Sequence, residues 1–318
     1  DVFLENNAAG VVEKQSIDYE DLRLANPELI MLRFPGYGTW GPYKDFKGYG
    51  ANVEGLAGHT ALRAYEDGDP TGIANAYFAD PFAGVHVASA VIMALHYKRR
   101  TGRGQFIEMS QHESMLNALV RAFMDYSMNG RAQQSRGNSD TSKAPHECYP
   151  CRGDDEWIAI SVGSDAEMAA LAGVMGAPEL AADPRFADVV SRHRNRRELD
   201  VVVSAWTAGE GRTDLMRRLQ EAGVTAAAVI RQREMFDDPH LVARGYFQSV
   251  PHPEAGTHPL AGPAYRMSRT PIGIRTPAPT LGEHNEYVYR EILGLSEDEY
   301  RELLAAGITG DTYADSAT

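Results

Sequence analysis

Asp80 stands directly before a proline and a long apolar run, in "NAYFADPFAGVHVASAVIMALHYKRRTGRGQ" at positions 75–105. Aspartate followed by proline is a favoured helix start. The carboxylate accepts the free N–H groups of the first turn, and proline has no N–H to lose at the first helical position. The same place favours chemistry. The positive end of a helix dipole stabilises an anionic carboxylate, and such a carboxylate at the mouth of a fold can act as a nucleophile in acyl transfer. Ala83 and Gly84, just inside the helix, leave room for a bulky substrate to approach the backbone. The local pattern favours a cap, and a cap is compatible with a nucleophile, so spacing alone leaves both roles open.

Other reactive side chains are few. Cys148 and Cys151 form a C-x-x-C in "HECYPC", with His146 two residues before the first thiol. A zinc site needs about four ligands, and no second Cys or His pair stands at matching spacing. A redox C-x-x-C opens a helix, whereas here Pro150 sits inside the motif. No metal and no tightly bound cofactor are therefore expected, and two cysteines are too few for a disulfide scaffold, which points to the reducing cytoplasm. His86 lies among apolar neighbours and reads as a core or interface residue. His59 reads as a helix-end histidine.

The elements that must position these groups follow from pattern. In the first half, a helix over Asp18–Leu24, the breaker Asn26-Pro27 and the strand "LIMLRF" are succeeded by a glycine-rich loop, "PGYGTWGPYKDFKGYG". A helix over about 52–62 leads to the turn "EDGDPTG", and the apolar segment after Asp80 runs to the two glycines of "TGRG". "QFIEMS" alternates as a strand does, and "QHESMLNALVRAFMDYSM" carries helical spacing. Helices alternating with strands make a layered α/β domain, assigned to 1–137. Residues 138–250 read as a smaller α+β domain with strands at "EWIAISV" and "VTAAAVI", and helices ending in glycine. The Pro-rich stretch 251–280 reads as an ordered connector, part of a 251–318 segment returning to the large domain. Helices "NEYVYREILG" and "SEDEYRELLAAG" lie in that segment, the second opening with a capping box at Ser296 and Glu299, and the tail "DTYADSAT" is expected to fray.

Composition excludes some partners. At 318 residues and a net charge of −13 the chain lacks the clustered cations of a nucleic-acid face. Its longest apolar run, Ala83–Leu95, is shorter than the roughly 20 residues of a membrane span and is interrupted by His86 and Ser89. No basic-then-apolar leader follows Asp1, so no signal peptide is expected.

Four blocks, "LENNAAGVVEK", "FPGYGTWGPYKDFKGYG", "FADPFAGVHVASAVIMALHYKRRTGRGQ" and "LGEHNEYVYREILGLSEDEYRELLAAGI", stand in the order and spacing of the family III CoA-transferases, which include formyl-CoA transferase. The resemblance covers nearly the whole chain. It implies a large nucleotide-binding-like domain with a smaller α+β domain, in two subunits interlocked as a homodimer. It implies that Asp80 falls on the catalytic aspartate, with coenzyme A as substrate and product. Asn6, Asn7 and Ala8 fall on one CoA-contacting segment, Lys14 on a basic CoA ligand, and Lys47, Gly48, Tyr49 and Gly50 on a second segment. Asn138, Ser139 and Asp140 fall on a mobile loop over the active site, although this chain lacks the glycine run usual there. The family begins with a further strand-helix unit, which points to this chain being part of a longer polypeptide or completed by a partner.

The activity so implied moves CoA from an acyl-CoA donor to a carboxylic acid through an aspartyl anhydride and an aspartyl-CoA thioester. Two alternatives stand beside it. α-Methylacyl-CoA racemases share the fold and place a histidine where this chain has Tyr49, and tyrosine is a poor base at neutral pH. A non-catalytic subunit of a CoA-transferase assembly would keep the fold without needing Asp80.

Overall fold

The run Ile30, Met31 and Leu32 is fully buried, as a central parallel strand covered on both faces requires. In the computed structural model, which describes residues 1–66 and 77–312, this strand is β2 (Ile30–Arg33), flanked in parallel by β1 (Val2–Glu5) and β3 (Gln105–Glu108). The chain is a mixed α/β protein that divides into two compact units, Asp1–Ala228 and a second beginning at Val229.

Helix α1 (Val11–Lys14) and helix α2 (Tyr19–Ala25) connect β1 to β2. Asp18 caps α2 by accepting the Asp21 N–H at 3.0 Å, and the chain turns extended at Asn26 before Pro27. The single helix expected over 52–62 is two, α3 (Gly50–Leu56) and α4 (His59–Leu62). Gly58, at φ +82°, takes a left-handed conformation between them that ends the first. The expected turn "EDGDPTG" lies, from residue 67 onward, outside the described residues.

Helix α5 (Ala79–Thr101) ends at Gly102, also left-handed, whose N–H returns to the Lys98 carbonyl at 2.8 Å. Lys98, Arg99 and Arg100 fill its last turn, where cations suit the dipole. The chain then re-enters the sheet through Gly104. A Cβ there would lie 2.0 Å from the Leu29 carbonyl oxygen, so only glycine lets β3 come alongside β2 at this point. At 23 residues α5 extends past the apolar run on both sides and is long and apolar enough to cross a membrane by length and composition, correcting the expectation from that run alone. In this unit it packs on β2 and on α6 (Gln111–Leu116). The helix expected after β3 is likewise interrupted, by a 3-10 turn at Asn117–Leu119 before α7 (Val120–Asn129).

The first unit holds a second sheet, β4 (His146–Pro150), β5 (Trp157–Ser161) and β6 (Thr225–Val229), with β4 and β5 antiparallel. Four helices pack with it, α8 (Asp165–Met175), α9 (Val189–Arg194), α10 (Arg196–Thr207) and α11 (Arg212–Glu221). Their apolar faces meet in a core of Ile158, Ile160, Leu171, Phe186, Leu199 and Leu215. Arg192, 0 % exposed, crosses this core and donates to the Ala144 and Phe186 carbonyls and to Asp165 Oδ1 at 2.8–3.1 Å. The C-x-x-C begins on a strand rather than at a helix, and both thiols are free.

Tyr149, buried in the same core, donates its hydroxyl to Asp200 Oδ1 at 2.5 Å. Burial pushes the Asp200 carboxyl above its usual range, and the Tyr149 hydroxyl partly offsets this. A carboxyl raised in the folded state stabilises the fold below its unfolded value and loses that contribution as pH rises through the folded one. Tyr149→Phe removes the offset. It is expected to lower stability by about 1–2 kcal/mol near neutral pH and by less near pH 4, read from urea unfolding at the two pH values.

In the second unit, helix α12 (Pro239–Ala243) precedes a hairpin of β7 (Phe247–His252) and β8 (Gly256–Ala261). The stretch expected to be an ordered connector therefore carries strand structure. "NEYVYREILG" forms a π-helix over Tyr287–Ile292, and α13 (Glu297–Ala305) has its expected capping box, with Ser296 N–H on Glu299 Oε2 at 2.8 Å and Glu299 N–H on Ser296 Oγ at 3.3 Å. The tail lies outside the described residues from 313.

Candidate functional site

Beyond the carboxyl ends of β1 and β2, where parallel sheets place their ligands, lies a cavity of about 1010 Å³. Asn6, Asn7 and Ala8 reach it from the end of β1. Lys47, Gly48, Tyr49 and Gly50 reach it from the glycine-rich loop and the start of α3, and Asp80 from the first turn of α5. Thus three stretches far apart in the chain share one wall. Tyr37, Lys44, Asn52, Tyr77 and Gln111 also line it, and sequence reasoning had not singled these out.

Charge fixes the first stretch. Glu5 is buried at the end of β1, where Oε2 accepts the Asn7 N–H at 2.8 Å and Oε1 accepts from Arg33 Nε. Arg33 in turn donates to Glu13 of α1 at 2.5 Å, and this hydrogen bond holds the Glu13 carboxyl below its usual range. A buried ion pair is costly to break from one side, so residues 6–8 leave the strand in one direction. In the second stretch, Asn52 Oδ1 accepts the Tyr49 N–H at 3.0 Å and starts α3. Tyr37 packs edge-on against Tyr43 and Phe46 and lies against Gly48, where a Cβ would come within 2.8 Å of its hydroxyl.

Asp80 is exposed to the cavity and closely approached from one side. A Cβ on Gly50 would lie 2.5 Å from Asp80 Oδ2. The structure corrects the expected cap. Helix α5 begins at Ala79, so Asp80 sits inside the first turn and Phe78 occupies the cap position without a capping side chain. The capping acceptor is Glu54 of α3, only 2 % exposed. Its Oε1 accepts from the N–H groups of Phe78 and Ala79, the latter at 3.3 Å, while Oε2 faces His59 Nδ1 at 3.2 Å and Arg63 Nη1 at 3.4 Å. The Asp80 carboxylate accepts no hydrogen bond among the described residues.

Other expected residues lie elsewhere. Lys14 stands on α1 and does not line the cavity. Asn138 and Ser139 line a separate cavity of about 560 Å³ with His146 and Cys148, whose thiol is pushed up by burial. Ser139 and Asp140 border one of about 250 Å³ with Arg121 and Arg136, and the Ser142 hydroxyl holds Asp140 below its usual range. His86 is half-buried, 2.6 Å from Ser114 Oγ with its ring edge-on to Phe82. Among the described residues no cluster of three His, Cys, Asp or Glu side chains could hold a metal ion.

A family model described as CoA-transferase family III matches residues 1–285. The chain is 34% identical over 305 residues to the succinyl-CoA–D-citramalate CoA-transferase of Chloroflexus aurantiacus, covering 96% of this chain and 75% of that one. It is 32% identical over 294 residues to the succinate–glutarate CoA-transferase of Agrobacterium fabrum, covering 92% and 72%. A crystal structure of a CAIB/BAIF family protein from Brucella suis superposes with a TM-score of 0.82 at 30% identity, over 92% of this chain and 75% of that one.

Proposed function

Because the chain belongs to the family III CoA-transferases, we propose that it moves CoA from an acyl-CoA to a free carboxylic acid with Asp80 carrying each group in turn. One observation carries this reading. A carboxylate without a hydrogen-bond partner among the described residues stands on the wall of a cavity large enough for a pantetheine arm and an acyl group.

In the first step an Asp80 carboxylate oxygen attacks the thioester carbonyl, the C–S bond breaks, and CoA leaves as the thiolate. The product is an acyl-aspartyl anhydride. The thiolate then attacks the aspartyl carbonyl and expels the donor acid as a carboxylate, leaving an aspartyl-CoA thioester. The acceptor carboxylate attacks that carbonyl and releases the thiolate, which takes the acceptor's acyl group from the new anhydride and restores Asp80. The net reaction exchanges one thioester for another, so it needs no ATP, and dividing it at Asp80 lowers each barrier. Lys44 and Lys47 lie on the cavity wall and suit the phosphates of CoA as point charges.

Two relatives are named for reactions of succinyl-CoA or succinate, which makes succinyl-CoA the first donor to try. The decisive measurement is incubation with succinyl-CoA, trapping with hydroxylamine or borohydride, and mass spectrometry of the peptide that holds Asp80. Modification at Asp80 is the expected result. Turnover with that peptide unmodified would sink the mechanism and favour proton exchange at the α carbon, which deuterium uptake would report.

An interlocked homodimer belongs to the same proposal. Support comes from apolar side chains left on the surface of the chain, Val85, Ile92 and Met93 on α5 and Phe123, Met124 and Met128 on α7, each at least 47% exposed. Light scattering at assay concentration would return the mass of two chains, and the mass of one would refute it.

A further inference from the structure

Glu54 is a buried carboxylate that the proposed chemistry does not use. A charge removed from water is costly unless fully compensated, and on the inner face of α3 its neighbours Val53 and Ala57 are apolar core residues. Its compensation is unusual for a helix residue. Two of its four partners are the free N–H groups at the start of another helix, at Phe78 and Ala79. The other two, His59 Nδ1 and the Arg63 guanidinium, face its second carboxylate oxygen, and Arg63 supplies positive charge there.

We infer that Glu54 is a positioning residue for Asp80: by capping α5 from outside, it leaves the Asp80 carboxylate unbonded and held toward the cavity. The inference rests on the reading of Asp80 as the acyl carrier. An aspartate in a first turn readily bonds to nearby backbone N–H groups. The N–H groups just before it, at Phe78 and Ala79, are free of the helix ladder, and Pro81 after it has none. With Glu54 on those donors, Asp80 is not drawn into capping, and its oxygen lone pairs remain available to a carbonyl carbon. Gly50 and Glu54 are four residues apart on α3 and so share one face. Gly50 meets Asp80 Oδ2 and Glu54 holds the backbone just before it. One short helix therefore fixes both the place of the carboxylate and its freedom. Arg63 balances the Glu54 charge, which would otherwise oppose a second anion nearby.

Two conservative variants separate this role from mere packing. Glu54→Gln keeps an acceptor oxygen at the same reach, whereas Glu54→Asp keeps the charge and withdraws it by one methylene from the N–H groups. Displacing a reacting group by about 1 Å costs on the order of a hundredfold in rate. In the full chain with succinyl-CoA and its acceptor acid, Glu54→Asp is expected to lower kcat at least about tenfold, with KM for the CoA ester within about threefold of the parent. Glu54→Gln is expected to keep kcat within about fivefold. Single-turnover labelling of Asp80 in Glu54→Asp should slow in proportion to kcat and still reach the parent's final extent. A Glu54→Asp protein with the parent's kcat overturns the inference. So does an equal loss of kcat in both variants that tracks their melting temperatures. Absence of label on Asp80 in the parent enzyme is a different result, and it defeats the reading of Asp80 itself.

Discussion

Asp80→Ala is expected to reduce kcat for CoA transfer by about four orders of magnitude or more, because removal of a covalent carrier leaves only binding and orientation to act. The same variant should bind CoA within about twofold of the parent, since one small side chain leaves the rest of the cavity wall unchanged. Its fold should hold, because the capping of α5 comes from Glu54 rather than Asp80. Loss of one first-turn acid costs about 0.3–1 kcal/mol. Steady-state kinetics, calorimetric titration of CoA and a thermal melt on one preparation check all three. A variant retaining even a tenth of parental kcat would remove Asp80 from the mechanism.

Gly50→Ala is also expected to lower activity strongly, through geometry rather than chemistry. The added methyl would stand 2.5 Å from Asp80 Oδ2 and 3.5 Å from the Tyr77 ring, so one of the three must move. α3 is pinned at this end by the Asn52 side chain on the Tyr49 N–H, and α5 by Glu54. The Asp80 carboxylate is the movable member, and rotating it away by about 1 Å should cost on the order of a hundredfold in kcat. Alanine is a better helix former than glycine by about 1 kcal/mol, so the melting temperature should hold or rise while activity falls. That opposition is the signature to look for. Unchanged kcat in a folded Gly50→Ala protein would mean that Asp80 works from another position.

Much of the architecture can be read from local pattern, because the signals that make it are local. Asp18 before an amphipathic turn, the apolar "IMLR", the glycines after α5 and the Ser296–Glu299 pair all act within a few residues, and each element formed where its pattern lies. Breaks inside long patterns were harder. Gly58 divides one helical pattern into α3 and α4 through a left-handed conformation that apolar spacing does not register. The hairpin of β7 and β8 is masked by Pro251, Pro253 and Pro259, since proline is tolerated in a two-stranded ladder although it weakens any strand signal. Around Asp80 the chain pattern suggested a self-capped helix. The true acceptor, Glu54, lies on a different helix and contacts Phe78 and Ala79 across the intervening segment, a relation that no short window of residues contains. Lys14 shows the opposite limit, for it stands close in sequence to Asn6–Ala8 yet outside the cavity they line.

Helix α5 is about 35 Å of continuous rod, with Asp80 at one tip and the tight passage at Gly104 just beyond the other. Whatever seats its rear end beside the Leu29 carbonyl also helps to set how far the opposite tip projects. Gly104 does not line the cavity, so a loss of turnover traced to that glycine would report a shift of the helix that carries Asp80 rather than a missing substrate contact.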